Sequence, residues 1–154
     1  MTLVHLSLTP DHVLLNRKFA SKQEVIRVIG EIMVRCGEVT PRYVLGMLEK
    51  EDQYSTWITE GVALPHGTNQ VKSEVLRNSV VVAQIPDGVE WGNGKTVHVA
   101  IGLAGTGNEA HLKLLAALAG VLQHRANVER LRWSESEEEV IGMLTAGDGQ
   151  EEMP

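Results

Sequence analysis

Apolar positions recur at helical spacing after "SKQE": Val25, Ile29, Ile32, Met33 and Cys36 form one face of a 3.6-residue repeat. Ser21 and Glu24, three apart, match a capping box at its start, and Gly37 supplies a stop. Thr40-Pro41 opens a second helix as N-cap and first-turn proline, with Val44, Leu45 and Leu48 as its apolar side. "KEDQYSTW" after it reads as a loop. "VLLN" (13–16), Val62–Leu64, "SVVVAQI" (79–85) and "TVHVAIGLA" (96–104) are short, largely β-branched runs and predict strands. Pro86-Asp87-Gly88 and Gly92-Asn93-Gly94 predict turns, and 105–109 a loop. A third helix is predicted over His111–Gln123 with Leu115, Leu118 and Leu122 inward. Ser134 and Glu137 make a second capping box, starting a helix that runs to about Leu144.

Strands mixed with helices, without repeat or linker, predict an α/β fold. It is a single domain, residues 1–146, with a small mixed β-sheet covered by helices on both faces. Residues 147–154 are expected to form a flexible tail. A length of 154 residues fits one core. Aromatics are only 4%, so that core must be aliphatic.

Charge narrows the partners. The formal charge is −6, with 14 basic residues scattered among 20 acidic ones. Nucleic acid and anionic membranes need clustered Lys/Arg, so neither is expected; a basic protein partner is compatible. Cys36 is the only cysteine, which excludes an internal disulfide and points to a reducing cytoplasm and a buried structural thiol. The start, "MTLVHLSLTP", lacks the basic segment and apolar stretch of a leader. The longest apolar run, Leu114–Leu122, is too short to cross a bilayer, so no direct membrane insertion is expected.

Six histidines are the candidate chemistry. His5, His12, His98 and His124 read as surface or hydrogen-bonded residues without partners at ligand spacing. His66, in "GVALPHGTN", is set differently. Pro65 fixes its own φ and biases Leu64 toward extended backbone. Gly67 lets a bulky group approach the chain, and Thr68 offers a hydroxyl. This setting exposes an imidazole on a rigid mount.

"GVALPHGT", "SVVVAQIPDGVEWG" and "VAIGLAGTGNEAHLKLLAALAGVL", in that order and preceded by "RKFASKQEVIRVIGEIMVRCGEVTPRYVLGMLEKE", resemble the IIA proteins of the bacterial sugar phosphotransferase system. The class is the mannitol/fructose one, closest to its mannitol-specific members, and the resemblance runs from about Leu8 to Leu144. It implies that His66 accepts a phosphoryl group at Nε2 from phospho-HPr. The group then passes to a cysteine of a IIB domain for uptake of mannitol or a related polyol. No cofactor is implied.

Two further roles follow from the resemblance. His111 matches a second active-site histidine; in the first turn of a helix it should be neutral and donate to a phosphoryl oxygen. From the residues alone it is only a late capping residue. Lys50 falls where mannitol-type members carry an arginine: either it acts as a point charge, or it is a solvated helix end and the charge comes from elsewhere. Thr59 also departs from the family pattern, which has Gly or Ala there, whereas Glu60 fits it. Leu64, Val62 and the 105–109 loop are the candidate partner surface. Two other readings stay open. One is a regulatory, nitrogen-related module of the same fold. The other is a hydrolase or metal protein, against which stand the missing nucleophile elbow and the absence of a His/Cys/Asp cluster at ligand spacing.

Overall fold

In the computed structural model, which describes residues 8–151, five strands form one mixed sheet. They are β1 (Val13–Leu14), β2 (Trp57–Thr59), β3 (Gly61–Ala63), β4 (Ser79–Gly92) and β5 (Lys95–Ala104), in the order β1-β4-β5-β3-β2. β1 pairs parallel with β4 and β3 parallel with β5; β4–β5 and β2–β3 are antiparallel.

Alternation along β4 sends Val81, Ala83 and Ile85 to one face and Val80 and Val82 to the other. The first face is covered by α1 (Lys22–Arg35) and α2 (Pro41–Gln53) through Ile26, Ile29, Met33, Tyr43 and Met47. The second is covered by α3 (Asn108–Leu122), α4 (Arg125–Trp133) and α5 (Glu137–Glu151) through Leu114, Leu118, Leu131, Val140 and Leu144. The expected architecture, a mixed sheet with helices on both faces, is what forms. Gly102 on β5 makes the first layer possible, because a Cβ there would stand 2.4 Å from Ile29.

The structure corrects several local expectations. α2 extends through Gln53, so Lys50 lies on a helix and not at the start of a loop. Its inward face is Tyr43, Gly46, Met47 and Glu51, while Leu45 points outward. The expected turn at Pro86–Gly88 lies inside β4: Gln84 pairs with Val99 and Val89 with Val97, so residues 85–88 bulge from the ladder. Because of that bulge alternation breaks at His98, with Val97 in the first layer and Val99 in the second. α4 and the short strand β2 were not expected. α3 begins three residues early, at Asn108.

Ser21 caps α1 as predicted, accepting from the Glu24 N–H, but the Glu24 carboxylate accepts from Ala20. Thr40 flanks α2 without a side-chain cap bond; its hydroxyl donates to Glu74. In the second predicted box it is Ser136 that accepts the Glu139 N–H, and α5 runs to Glu151, past the expected end and into the expected tail. Residues 152–154 of that tail, and His5, lie outside the described residues. Cys36 caps the C-terminus of α1 and is half-buried; burial, then Glu38 and Asp11, hold its thiol above the ordinary range.

Candidate functional site

β3 ends at Ala63, and the next four residues are tied down bond by bond. The Leu64 N–H donates to the Thr56 carbonyl (2.9 Å), and the Leu103 N–H of β5 donates to the Pro65 carbonyl (3.0 Å). The Gly67 N–H donates to the Tyr43 hydroxyl (3.0 Å), which itself donates to the Leu103 carbonyl (2.9 Å). His66 therefore sits on a backbone whose polar groups are anchored to β5 and α2. The rigid mount expected from Pro65 is present, and Tyr43 completes it.

The imidazole is half-buried, and its Nδ1–H donates to the Leu64 carbonyl at 2.8 Å. That bond places the proton on Nδ1 and leaves Nε2 with a lone pair. Burial, the largest influence, lowers the His66 pKa; the Leu64 carbonyl opposes it, Lys50 adds to it and the buried Glu51 opposes it. Burial thus favours the uncharged ring, and the Leu64 bond fixes its orientation with Nε2 left free of that contact.

A cavity of about 130 Å³ opens beside it, with Lys50, Thr68, Lys72, Gly105 and His111 in its wall. The His66 and His111 rings lie 5.1 Å apart, centroid to centroid, at an interplanar angle of 55°. His111 closes the first turn of α3, its N–H donating to the Gly107 carbonyl. Burial, His66, Lys72 and Lys50, in that order, push its pKa down to about 4. These causes are burial and neighbouring charge, where the expectation rested on the helix N-terminus. Gly105 sets its place: a Cβ would stand 2.6 Å from the His111 nitrogen.

Lys50, in the last turn of α2, belongs to the cavity wall; its ammonium lies 5.3 Å from the Tyr54 ring centroid. It is a half-buried helix-end residue that also lines the cavity. Thr68 is buried in that wall, and its hydroxyl has no hydrogen-bond partner. Gly67 does let bulky groups approach the chain, and they are internal ones. The space a side chain would take is filled by Tyr43 and Val71, at 2.6 and 2.8 Å from an ideal Cβ, so internal packing requires the glycine.

One wall cation and one anchor were missed in the sequence. Lys72 stands on the 3-10 turn Asn69–Glu74, with its ammonium bonded to Asn108 at the start of α3. Tyr43 is buried and its hydroxyl pKa is raised to about 12 by burial. Only the scarcity of aromatics marked it, as a polar aromatic on a helix in an aliphatic core. Replacing it tests the mount: Tyr43→Phe strips the Gly67 N–H and the Leu103 carbonyl of a partner and should lower stability by about 1–3 kcal/mol in urea unfolding. A change within experimental error would show that these bonds are dispensable.

The proposed partner surface needs revision. Val62 and Leu64 are 0% and 3% exposed, fully committed to the core. Exposed apolar side chains near the site include Tyr54, against the Lys50 ammonium, and Leu76 and Leu112, chain neighbours of the wall residues Val75 and His111. Glu60 is exposed and pairs with Arg125 at 3.5 Å. His98 holds the Pro86 carbonyl, and His124 flanks α4. His12 is the hydrogen-bonded, buried case of its reading, with Glu38 as its partner.

Residues 6–147 match the family described as phosphoenolpyruvate-dependent sugar phosphotransferase system, EIIA 2. The chain is 40% identical over 137 residues to the mannitol-specific phosphotransferase enzyme IIA component of Bacillus subtilis, covering 89% of this chain and 95% of that protein. It is 38% identical over 136 residues to the mannitol-specific EIICBA component of Escherichia coli, covering 87% of this chain and 21% of that one. Its fold superposes on the Escherichia coli mannitol IIA enzyme in complex with phosphorylated mannitol IIB. The TM-score is 0.85 with 36% identity, over 90% of this chain and 97% of that one. No helix among the described residues is long and apolar enough to cross a membrane.

Proposed function

The chain belongs to the EIIA 2 family of the phosphoenolpyruvate-dependent sugar phosphotransferase system, and from that premise we propose that it is a phosphocarrier of the mannitol branch. It takes a phosphoryl group from phospho-HPr onto Nε2 of His66 and gives it to a cysteine of a IIB domain. The observation that carries this reading is the single hydrogen bond from Nδ1 to the Leu64 carbonyl, which leaves the other nitrogen of a neutral ring facing a cavity with two lysines in its wall.

The chemistry follows from that arrangement. The Nε2 lone pair attacks phosphorus in line as the donor's N–P bond breaks, and the proton on Nδ1 stays with Leu64. Negative charge spreads over three equatorial oxygens, so the protein has mainly to position groups and supply positive potential. Lys50 and Lys72 supply charge, and the N–H of neutral His111 and the unpaired hydroxyl of Thr68 supply hydrogen bonds. Without an arginine fork the phosphoryl group is held by separate point donors. The incoming proteins meet Tyr54 and Leu112 around the cavity, a small apolar surface suited to brief complexes.

The test uses the full chain with enzyme I, HPr and phosphoenolpyruvate, followed by a mannitol-type IIB domain. Acid-labile label should appear on this chain and then move to the IIB cysteine. Failure to label overturns the carrier reading. Label that stays on the chain in the presence of IIB overturns the transport role in favour of the regulatory one.

A further inference from the structure

Away from the phosphoryl site, the fold joins three residues that are scattered or weakly patterned in sequence. His12 closes the 3-10 turn Pro10–His12 ahead of β1, Cys36 caps α1, and Glu38 follows two residues later. His12 and Glu38 are each only 4% exposed, and His12 Nε2 lies 2.7 Å from Glu38 Oε2. A ring nitrogen of His12, a Glu38 carboxylate oxygen and the Cys36 sulfur crowd together closely enough that one donor atom from each residue lies within 4.8 Å of the others. A cavity of about 720 Å³ opens beside them, separate from the phosphoryl pocket and sharing no wall residue with it.

We propose that His12, Cys36 and Glu38 form a binding site for one thiophilic divalent cation of the zinc type, with water from the cavity as the fourth ligand. Nitrogen, sulfur and carboxylate oxygen are the donor set that Zn²⁺ takes in four-coordinate sites, at about 2.0–2.3 Å. Ligand atoms around such an ion stand roughly 3–4 Å apart. The His12–Glu38 pair must open slightly to admit it, and the Cys36 sulfur must close in by a side-chain rotation.

The surroundings suit the exchange. In the metal-free chain Nδ1 of His12 accepts from the Thr9 N–H (3.2 Å), so the ring proton is on Nε2 and points at Glu38. When the ion takes Nε2, that proton moves to Nδ1, where the Thr9 hydroxyl oxygen at 2.9 Å accepts it. The second Glu38 oxygen is already held by the Ser79 hydroxyl (2.6 Å), which orients the carboxylate. The thiol proton leaves to solvent, so one cation enters and one proton departs. Thiolate and carboxylate then balance the ion's two charges. The Arg77 guanidinium on the cavity wall is engaged with the Cys36 carbonyl (2.6 Å), and Asp11 and Glu137 offset the other wall arginines. The bound ion would clamp the segment before β1 onto the end of α1.

Cobalt makes the test specific, because a cobalt–sulfur bond gives a charge-transfer absorption that nitrogen and oxygen ligands do not, and Cys36 is the only thiol in the chain. Titration of the metal-free full chain with Co²⁺ should produce that absorption at one ion per chain, and Zn²⁺ should displace it. Zn²⁺ should also slow alkylation of Cys36 in the wild type. Cys36→Ser should lose the absorption and weaken Zn²⁺ binding by more than about 100-fold, since outer-sphere losses alone cost 10–100-fold. Cobalt bound without the sulfur absorption, as the His66–His111 pair would bind it, overturns the proposal. So does unchanged alkylation of Cys36 at saturating Zn²⁺.

Discussion

His66→Ala should leave a folded protein that takes up no phosphoryl group from phospho-HPr. The expectation follows from the covalent role of Nε2: removing it deletes the acceptor atom itself, so labelling falls to background instead of slowing. The fold should tolerate the change, because the ring is half-buried and its one hydrogen bond, to Leu64, is local. The backbone around it is held by Tyr43, Leu103 and Thr56, none of which touches the imidazole through those bonds. Intact-mass measurement after incubation with the phosphorylating proteins, beside a thermal melt, gives both readouts. Labelling of the alanine variant equal to that of the wild type would place the acceptor elsewhere, and digestion would say whether His111 had taken it.

The wild type carries a pH signature of the same geometry. A free imidazole is half protonated near pH 6.5. Burial lowers the His66 value, so the nucleophile stays available below that pH. Initial rates of acceptance should hold their plateau through pH 6.5 and decline only in more acidic solution. The linkage has the same sign. The unfolded chain binds this proton more tightly, so the group's contribution lowers stability as pH falls below about 6.5 and has no such effect above it. A midpoint at or above 6.5, once the donor's own titration is measured with a second acceptor, would contradict the buried neutral ring.

How much of this was legible follows from how each feature is encoded. The sheet with helices on both faces was readable because β4 and β5 are β-branched and α1 repeats its apolar residues cleanly. α4 was not: Arg125–Trp133 carries four charged residues in nine and buries only Val128 and Leu131, too few for a periodic signal. α2 was misread in face, because Leu45 is exposed while Tyr43 goes inward to bond Leu103. His66 stood out because Pro65 and Gly67 constrain it locally. Its Nδ1 partner is a carbonyl two residues back, a matter of backbone turn that no side-chain identity announces. Lys72 and Asn108 meet across 36 residues, and His12 and Glu38 across 26, so only the assembled sheet brings them together. His12, Cys36 and Glu38 have no ligand spacing along the chain, as read, and meet for the same reason: a turn, a helix cap and a loop converge only in the fold.

His111→Ala should slow phosphoryl acceptance by about 10²–10³-fold, the loss that follows removal of one preorganised donor at the site of developing charge. The comparison that decides its role is His111→Gln. With a pKa of about 4 the ring is uncharged throughout the working range, so it contributes a directed N–H and no proton. An amide also offers an N–H without titrating. The glutamine variant should therefore recover most of the rate, and its pH profile should match that of the wild type. A general acid or base at this position would give the opposite pattern, with glutamine as slow as alanine. Both variants running at the wild-type rate would reduce His111 to a packing neighbour of His66, whose ring lies 5.1 Å away. Lys50 and Lys72 then would carry the phosphoryl charge alone. The geometry argues for the donor, because Gly105 admits no side chain between β5 and the first turn of α3, and that close approach holds the His111 ring at the cavity wall.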